Sequence, residues 1–214
     1  MKKTKHYEQI NFSMVDMKKE NGFNINDVNY EKACLNDMLE MLKLFNRDIY
    51  LKAYSTGMVS KALGQAFGVK EIQYYLAGFY ANIGNLGITQ ITQNKDFLTR
   101  EEKKMIKLHP SLSRDFLIEK ELYLCAYIAY HHHEYPDGSG YYKVQKISLR
   151  EVYLIHIADI FVGCLMPKNY RPAYSKRDAQ QWAMEKFSNY PEFEKDQEII
   201  EKVLLEISLP EIGI

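Results

Sequence analysis

The chain has 214 residues, enough for one domain with a sizeable core or a domain with a short extension. Hydrophobic residues make up 46% and charged residues 26%, an ordinary globular balance. Lys plus Arg and Asp plus Glu both number 28, so no global basic field favours nucleic acid or a membrane surface, and an anionic ligand needs a local site.

No apolar run is long enough to span a bilayer, and no apolar segment follows the lysines of MKKTKHYEQI as in a signal peptide. Cys34, Cys125 and Cys164 are odd in number and lack CxxC spacing. That argues for a reducing cytoplasm and against a disulfide frame or cysteine zinc site.

Residues 1 to about 26 are polar and without clear period; a frayed tail or a short strand over YEQINFSMV both fit. From Asp27, Leu35, Met38, Leu39, Leu42 and Phe45 recur at helical spacing as one apolar stripe. The pattern predicts a second helix over Leu51 to Phe67, stopped by Gly68, and a third from about Lys70 to Ile83. NIGNLGITQITQNKDF reads as a loop.

Thr99-Arg100-Glu101-Glu102 is a capping box. The helix it opens is expected to end at His109, because Pro110 disfavours helical geometry in the residue before it. Helices follow over about Ser111 to Lys120 and Leu122 to His131. A second capping box at Ser148 opens the most apolar helix, VYLIHIADIFVGCLM; Ser175 starts another, and the last covers roughly Glu194 to Ile207. The expected class is all-α.

The stretch His131 to Tyr142, HHHEYPDGSGYY, stands apart. Consecutive imidazoles are poor helix formers, and Asp137-Gly138-Ser139-Gly140 must turn. A helix therefore ends in histidines, and neutral imidazole is the commonest protein metal ligand. Asp159 lies inside the apolar helix, where a carboxylate must be paired, hydrogen-bonded or on a metal. His156, one turn earlier, is a candidate partner.

His132-His133-Glu134-Tyr135-Pro136-Asp137-Gly138-Ser139-Gly140-Tyr141 resembles the HHExxDGxGYP motif of HD-GYP domains, metal-dependent phosphodiesterases of cyclic di-GMP; Tyr142 replaces the final proline. His109-Pro110, Ala158 to Phe161 and Asn169 to Ala173 match further segments, and the resemblance covers about residues 45 to 190. It implies an HD-domain-like helical bundle over residues 46–214, preceded by an extension and lead-in helix over 1–45. It also implies metal ligands at His109, His132, His133 and Asp159, with His131 a bystander, and ligand contacts from Tyr141, Lys168 and Arg171.

Other positions depart from the family. Phe79 to Thr89 aligns with a segment like LLHDIGKIGIP, but Ala81, Asn82 and Asn85 stand at its His, Asp and Lys positions, and Tyr54 stands where RDxYTxxH has its histidine. A two-metal phosphodiesterase needs a bridging carboxylate, and neutral Asn82 is a poor bridge. The expectation is at most one divalent metal, iron, manganese or zinc, on three histidines.

Tyr54 is expected to fill the vacated volume, its hydroxyl joining Asn82 or His156 in satisfying Asp159. The expected function is a degenerate HD-GYP signalling domain, impaired in phosphodiester hydrolysis. It would bind cyclic di-GMP or dock a protein such as a cyclase domain, with no nucleic-acid or membrane partner. The alternative is a metal-dependent phosphohydrolase on the reduced site, with Glu134 or Asp159 assisting proton transfer.

Overall fold

The structure, a computed structural model, describes residues 40–44, 46–69, 71–88, 97–144, 150–188 and 190–212. The chain divides into a unit over 1–44 and a unit over 45–214. In the first, residues 40–44 are helical; the N-terminal tail, Leu35, Met38 and Leu39 lie outside the described residues, as does Ser148.

The second unit is an all-α bundle. Its helices are α1 (Arg47–Ala66), α2 (Glu71–Tyr80), α3 (Arg100–Ile106), α4 (His109–Glu119), α5 (Tyr123–His131), α6 (Arg150–Leu165), α7 (Lys176–Glu185), α8 (Pro191–Glu194) and α9 (Gln197–Glu206), with 3-10 turns at Ile83–Gly87 and Pro210–Ile212. Among the described residues there is no strand, only a bridge pairing Lys168 with Arg171.

The bundle is built around α6. Eleven of its sixteen residues are buried, more than one apolar stripe would need, so it is covered on several sides. Its neighbours are α1, α2, α5 and α7. The pairs α1–α2 and α4–α5 pack as hairpins, and the Ile83–Gly87 turn rests on α4. The α1–α2 contact is close because Gly78 faces α1: a Cβ there would lie 2.2 Å from Ser60 Oγ.

Local chemistry sets the boundaries. Asn46 caps α1, its Oδ1 accepting from the Ile49 N–H at 3.1 Å, so the helix starts four residues before its apolar pattern. Thr99 and Glu102 form the expected capping box, and Ser175 caps α7.

The helix opened by Thr99 ends at Ile106, and His109 begins the next one, contrary to expectation. Pro110 occupies the first turn, where a missing N–H costs nothing and φ is already helical. The expected C-terminal helix runs over Gln197–Glu206, and Asp196 separates it from the short α8. That buried carboxylate turns away from the helix to accept from the Tyr153 hydroxyl and pair with Arg150 on α6.

Arg171 closes the end of α6. Its Nη2 donates to Gly163 O at 2.7 Å, and its Nη1 to Cys164 O at 3.1 Å and Pro172 O at 3.0 Å. The guanidinium lies over the Tyr174 ring, 4.5 Å from its centroid. These bonds satisfy carbonyls the helix leaves orphaned. Arg171→Ala is therefore expected to cost about 1–3 kcal/mol of stability. Urea denaturation checks this, and Arg171→Lys should recover only part, since an ammonium cannot reproduce the planar fork.

Candidate metal centre

Two helix ends bring the histidines together. His109 comes from the start of α4, while His132 and His133 follow the end of α5. His109 Nε2 lies 3.3 Å from His132 Nε2 and 3.2 Å from His133 Nε2. Among the described residues these three form the cluster able to hold a metal ion.

The far side of two rings is anchored. His109 Nδ1 donates to Ile106 O and His132 Nδ1 to Ala129 O, each at 2.7 Å. Carbonyl partners at Nδ1 fix the proton there and leave Nε2 as a lone pair, the usual second layer behind a ligating imidazole. Burial, then the neighbouring His132, pushes His109 down to about 3. Burial likewise lowers His132 and His133, so all three are neutral at pH 7, as ligands must be. A tetrahedral ion with Zn–N bonds near 2 Å requires nitrogen–nitrogen edges of about 3.3 Å. The residues present therefore fit one ion.

The loop after the histidines is locked by Glu134. This buried carboxylate accepts from the Tyr142 N–H at 2.8 Å and the Val144 N–H at 2.9 Å. Gly140 passes so close that a Cβ would lie 2.5 Å from Glu134 Cα and 2.5 Å from His133 O. Asp137 stabilises the turn by accepting from the Ser139 N–H. As a result Tyr141 stacks on His133, with ring centroids 4.4 Å apart, and Lys107 Nζ lies 5.0 Å from the Tyr141 centroid. Glu134, with both oxygens bonded to backbone, holds the loop rather than standing ready to move a proton.

Asp159 belongs to a different group. Asn82 Nδ2 donates to its Oδ1, and Lys52 Nζ lies 3.0 Å from the same oxygen. Asn82 Oδ1 accepts from Asn85 Nδ2 at 2.9 Å and Lys52 Nζ at 3.4 Å. Burial would raise the Asp159 carboxyl, but Lys52, followed by His132, outweighs it and holds the group well below the carboxylate range.

The expectation for Tyr54 is corrected. Its ring packs between Tyr50 and Tyr75, and the ammonium of Lys52 completes the Asp159 shell with Asn82. A carboxylate with a net negative charge is better matched by a cation than by a phenol. Ala81 contributes its carbonyl, which accepts from Ser113 Oγ at 2.9 Å. His156 is buried beside His133, with ring centroids 5.1 Å apart, and is not among the hydrogen-bond partners of Asp159. His131 packs on Tyr127 and Tyr130, apart from the cluster.

Of the anion-binding candidates, Lys168 is exposed in the turn that the Lys168–Arg171 bridge closes, while Arg171 is engaged at the end of α6. Lys52 is the residue sequence reasoning missed. Its signal was charge balance: an acid inside an apolar helix needs a partner, and a cation from another helix is the strongest one.

The helical bundle that carries these residues is of the HD-domain type. The HD-domain family profile matches residues 39–189, and the chain belongs to that family. It is similar to the HD domain of the L. monocytogenes phosphodiesterase PgpH, solved in complex with cyclic-di-AMP, with a TM-score of 0.62 and 15% sequence identity over 79% of this chain and 93% of that one. At that identity the likeness speaks for the fold. No curated protein sequence matches the chain. Among the described residues no helix is long and apolar enough to cross a membrane.

Zinc added to metal-free protein is expected to raise Tm by about 5–10 °C at a hundredfold excess over its dissociation constant. His132→Ala should remove that rise. Differential scanning fluorimetry with and without zinc checks it.

Proposed function

We propose that the chain is an HD-GYP-type signalling domain with a degenerate His-Asp pair, which binds a cyclic dinucleotide at a one-metal site and is impaired in cleaving it. The carrying observation is that the acid half of the site is already satisfied: Asp159 is held by Lys52 and Asn82, while three neutral imidazoles converge beside it. His109, His132 and His133 would hold the ion. A divalent ion there supplies charge for a phosphate and polarises it.

The side chains around it favour binding over turnover. Tyr141, stacked on His133, would offer a base the ring face that the exposed Lys107 side chain now covers, and stacking of this kind is sequence-tolerant. Lys107 and Lys168 supply nearby positive charge. Neither acid at the site is placed to accept a proton, since Glu134 bonds the loop and Asp159 pairs with an ammonium. A general base needs a free acceptor within reach of the proton it removes. Cyclic di-GMP is the ligand implied by the HHExxDGxGY stretch; the similar PgpH domain was crystallised with cyclic-di-AMP.

Titration calorimetry with zinc-loaded protein and either cyclic dinucleotide tests this reading, with product analysis on the same samples. Saturable binding without linear product is expected, with Tyr141→Ala weakening it about 5- to 100-fold. Metal-dependent cleavage abolished by His132→Ala would establish the phosphohydrolase reading instead. Binding of neither dinucleotide, with no cleavage, would leave a docking role and overturn the proposal.

A further inference from the structure

Asp159 lies close enough to His109 and His132 to interact electrostatically with both, but the group of metal-competent ligands stops at the imidazoles. We propose that the Lys52 ammonium is the resident cation of the acid half of the site and stands where a second divalent ion would otherwise bind. The chain then takes one metal ion, on His109, His132 and His133, and excludes another. The inference rests on the one-metal reading above and adds the residue that enforces it.

The contacts of Lys52 carry the inference. Its Nζ lies 3.0 Å from Asp159 Oδ1, with the lysine side chain a quarter exposed and the aspartate 6% exposed. The carboxylate's charge is thus matched inside the protein by a group tethered to α1.

The surroundings are arranged for an ammonium. Asn82 turns Nδ2 to the carboxylate and Oδ1 to the Lys52 and Asn85 donors. A metal bridged by Asp159 and residue 82 would need oxygen from both, whereas the amide presents a donor to the acid. Asn85 fixes that orientation, because its own Nδ2 needs the Asn82 oxygen as acceptor.

Charge adds to this. Asp159 and Lys52 sum to zero, and the neutral imidazoles contribute nothing. One divalent ion on the histidines adds two positive charges to this balanced pair, which an anionic ligand offsets. A second ion would add two more beside the ammonium in a largely buried site, where like charges repel far more than in water.

The test is metal stoichiometry. Stripped protein is dialysed to equilibrium against manganese chloride, and bound metal is counted alongside Tm. Manganese suits carboxylate and carbonyl oxygen as well as imidazole. The wild type is expected to take one equivalent. Lys52→Ala should melt about 5–15 °C lower without metal, take a second equivalent on Asp159, the Asn82 oxygen and water, as hard cations do with one carboxylate, and gain more in Tm from manganese than the wild type gains. Lys52→Arg keeps a cation and should take one equivalent.

Two equivalents in the wild type, or one in Lys52→Ala with the same manganese-induced gain as wild type, would overturn the proposal. Absence of manganese from the wild type, unchanged by His132→Ala, would end the histidine reading separately; the lysine proposal would still be decided by whether Lys52→Ala gains an equivalent. Should Lys52→Ala not fold without metal, rescue of folding by manganese supports the proposal. Failure of rescue, when Lys52→Ala/Asp159→Asn folds, refutes it.

Discussion

A carboxylate in the middle of the most buried helix governs the site. Asp159 stays ionised in the core only because α1 delivers an ammonium and the segment after α2 delivers an amide to the same oxygen. An uncompensated charge at that depth would cost several kcal/mol, a large share of a typical domain's stability. The pair therefore couples the placement of α1, the Ala81–Asn85 turn and α6. It also favours a close α1–α2 approach, which the missing side chain of Gly78 permits.

A second constraint shapes the opposite wall. The turn after α5 carries positive φ at Gly138 and a close backbone pass at Gly140, and neither would hold without an anchor. Glu134 is that anchor, exchanging its desolvation for two backbone N–H bonds. The result is a rigid frame in which His133 and Tyr141 stack. The same motif thus supplies imidazoles, a clamp and an aromatic face, and only the imidazoles face the candidate ion. Sequence position marks all of these residues as one motif; only geometry separates their roles.

The helices were legible wherever apolar periodicity or a cap marked them, as at Thr99, at Ser175 and in α6. So was the convergence of His109, His132 and His133, through a resemblance rather than through pattern. Asn82 beside Asp159 was anticipated, but the cation was not. Lys52 is far from Asp159 in sequence, and a lysine on an amphipathic helix reads as a solvated surface charge; nothing local indicates that it folds inward. Arg171 is the reverse case. The resemblance implied a ligand contact, and the structure adds that its fork bonds orphan carbonyls at the end of α6. Long cationic side chains are the hardest to place from sequence, because their reach spans several ångströms while their backbone position reveals only which element carries them.

An ammonium and a divalent ion are not equivalent neighbours for a phosphate. Both attract the anion, but a lysine bonded to Asp159 carries one charge, has no open coordination position and cannot turn a bridging water into hydroxide at neutral pH. Two-metal hydrolysis depends on that water and on charge clamping both the attacking and the leaving oxygen. In the proposed reading, the exchange of a metal for Lys52 keeps the electrostatic attraction of the site and removes the generation of a nucleophile. The departures at Ala81, Asn82 and Asn85 are then linked. Once a lysine holds the acid, a histidine or aspartate at those positions would add an unused ligand or an unpaired charge, whereas an alanine and two asparagines leave the network neutral and hydrogen-bonded.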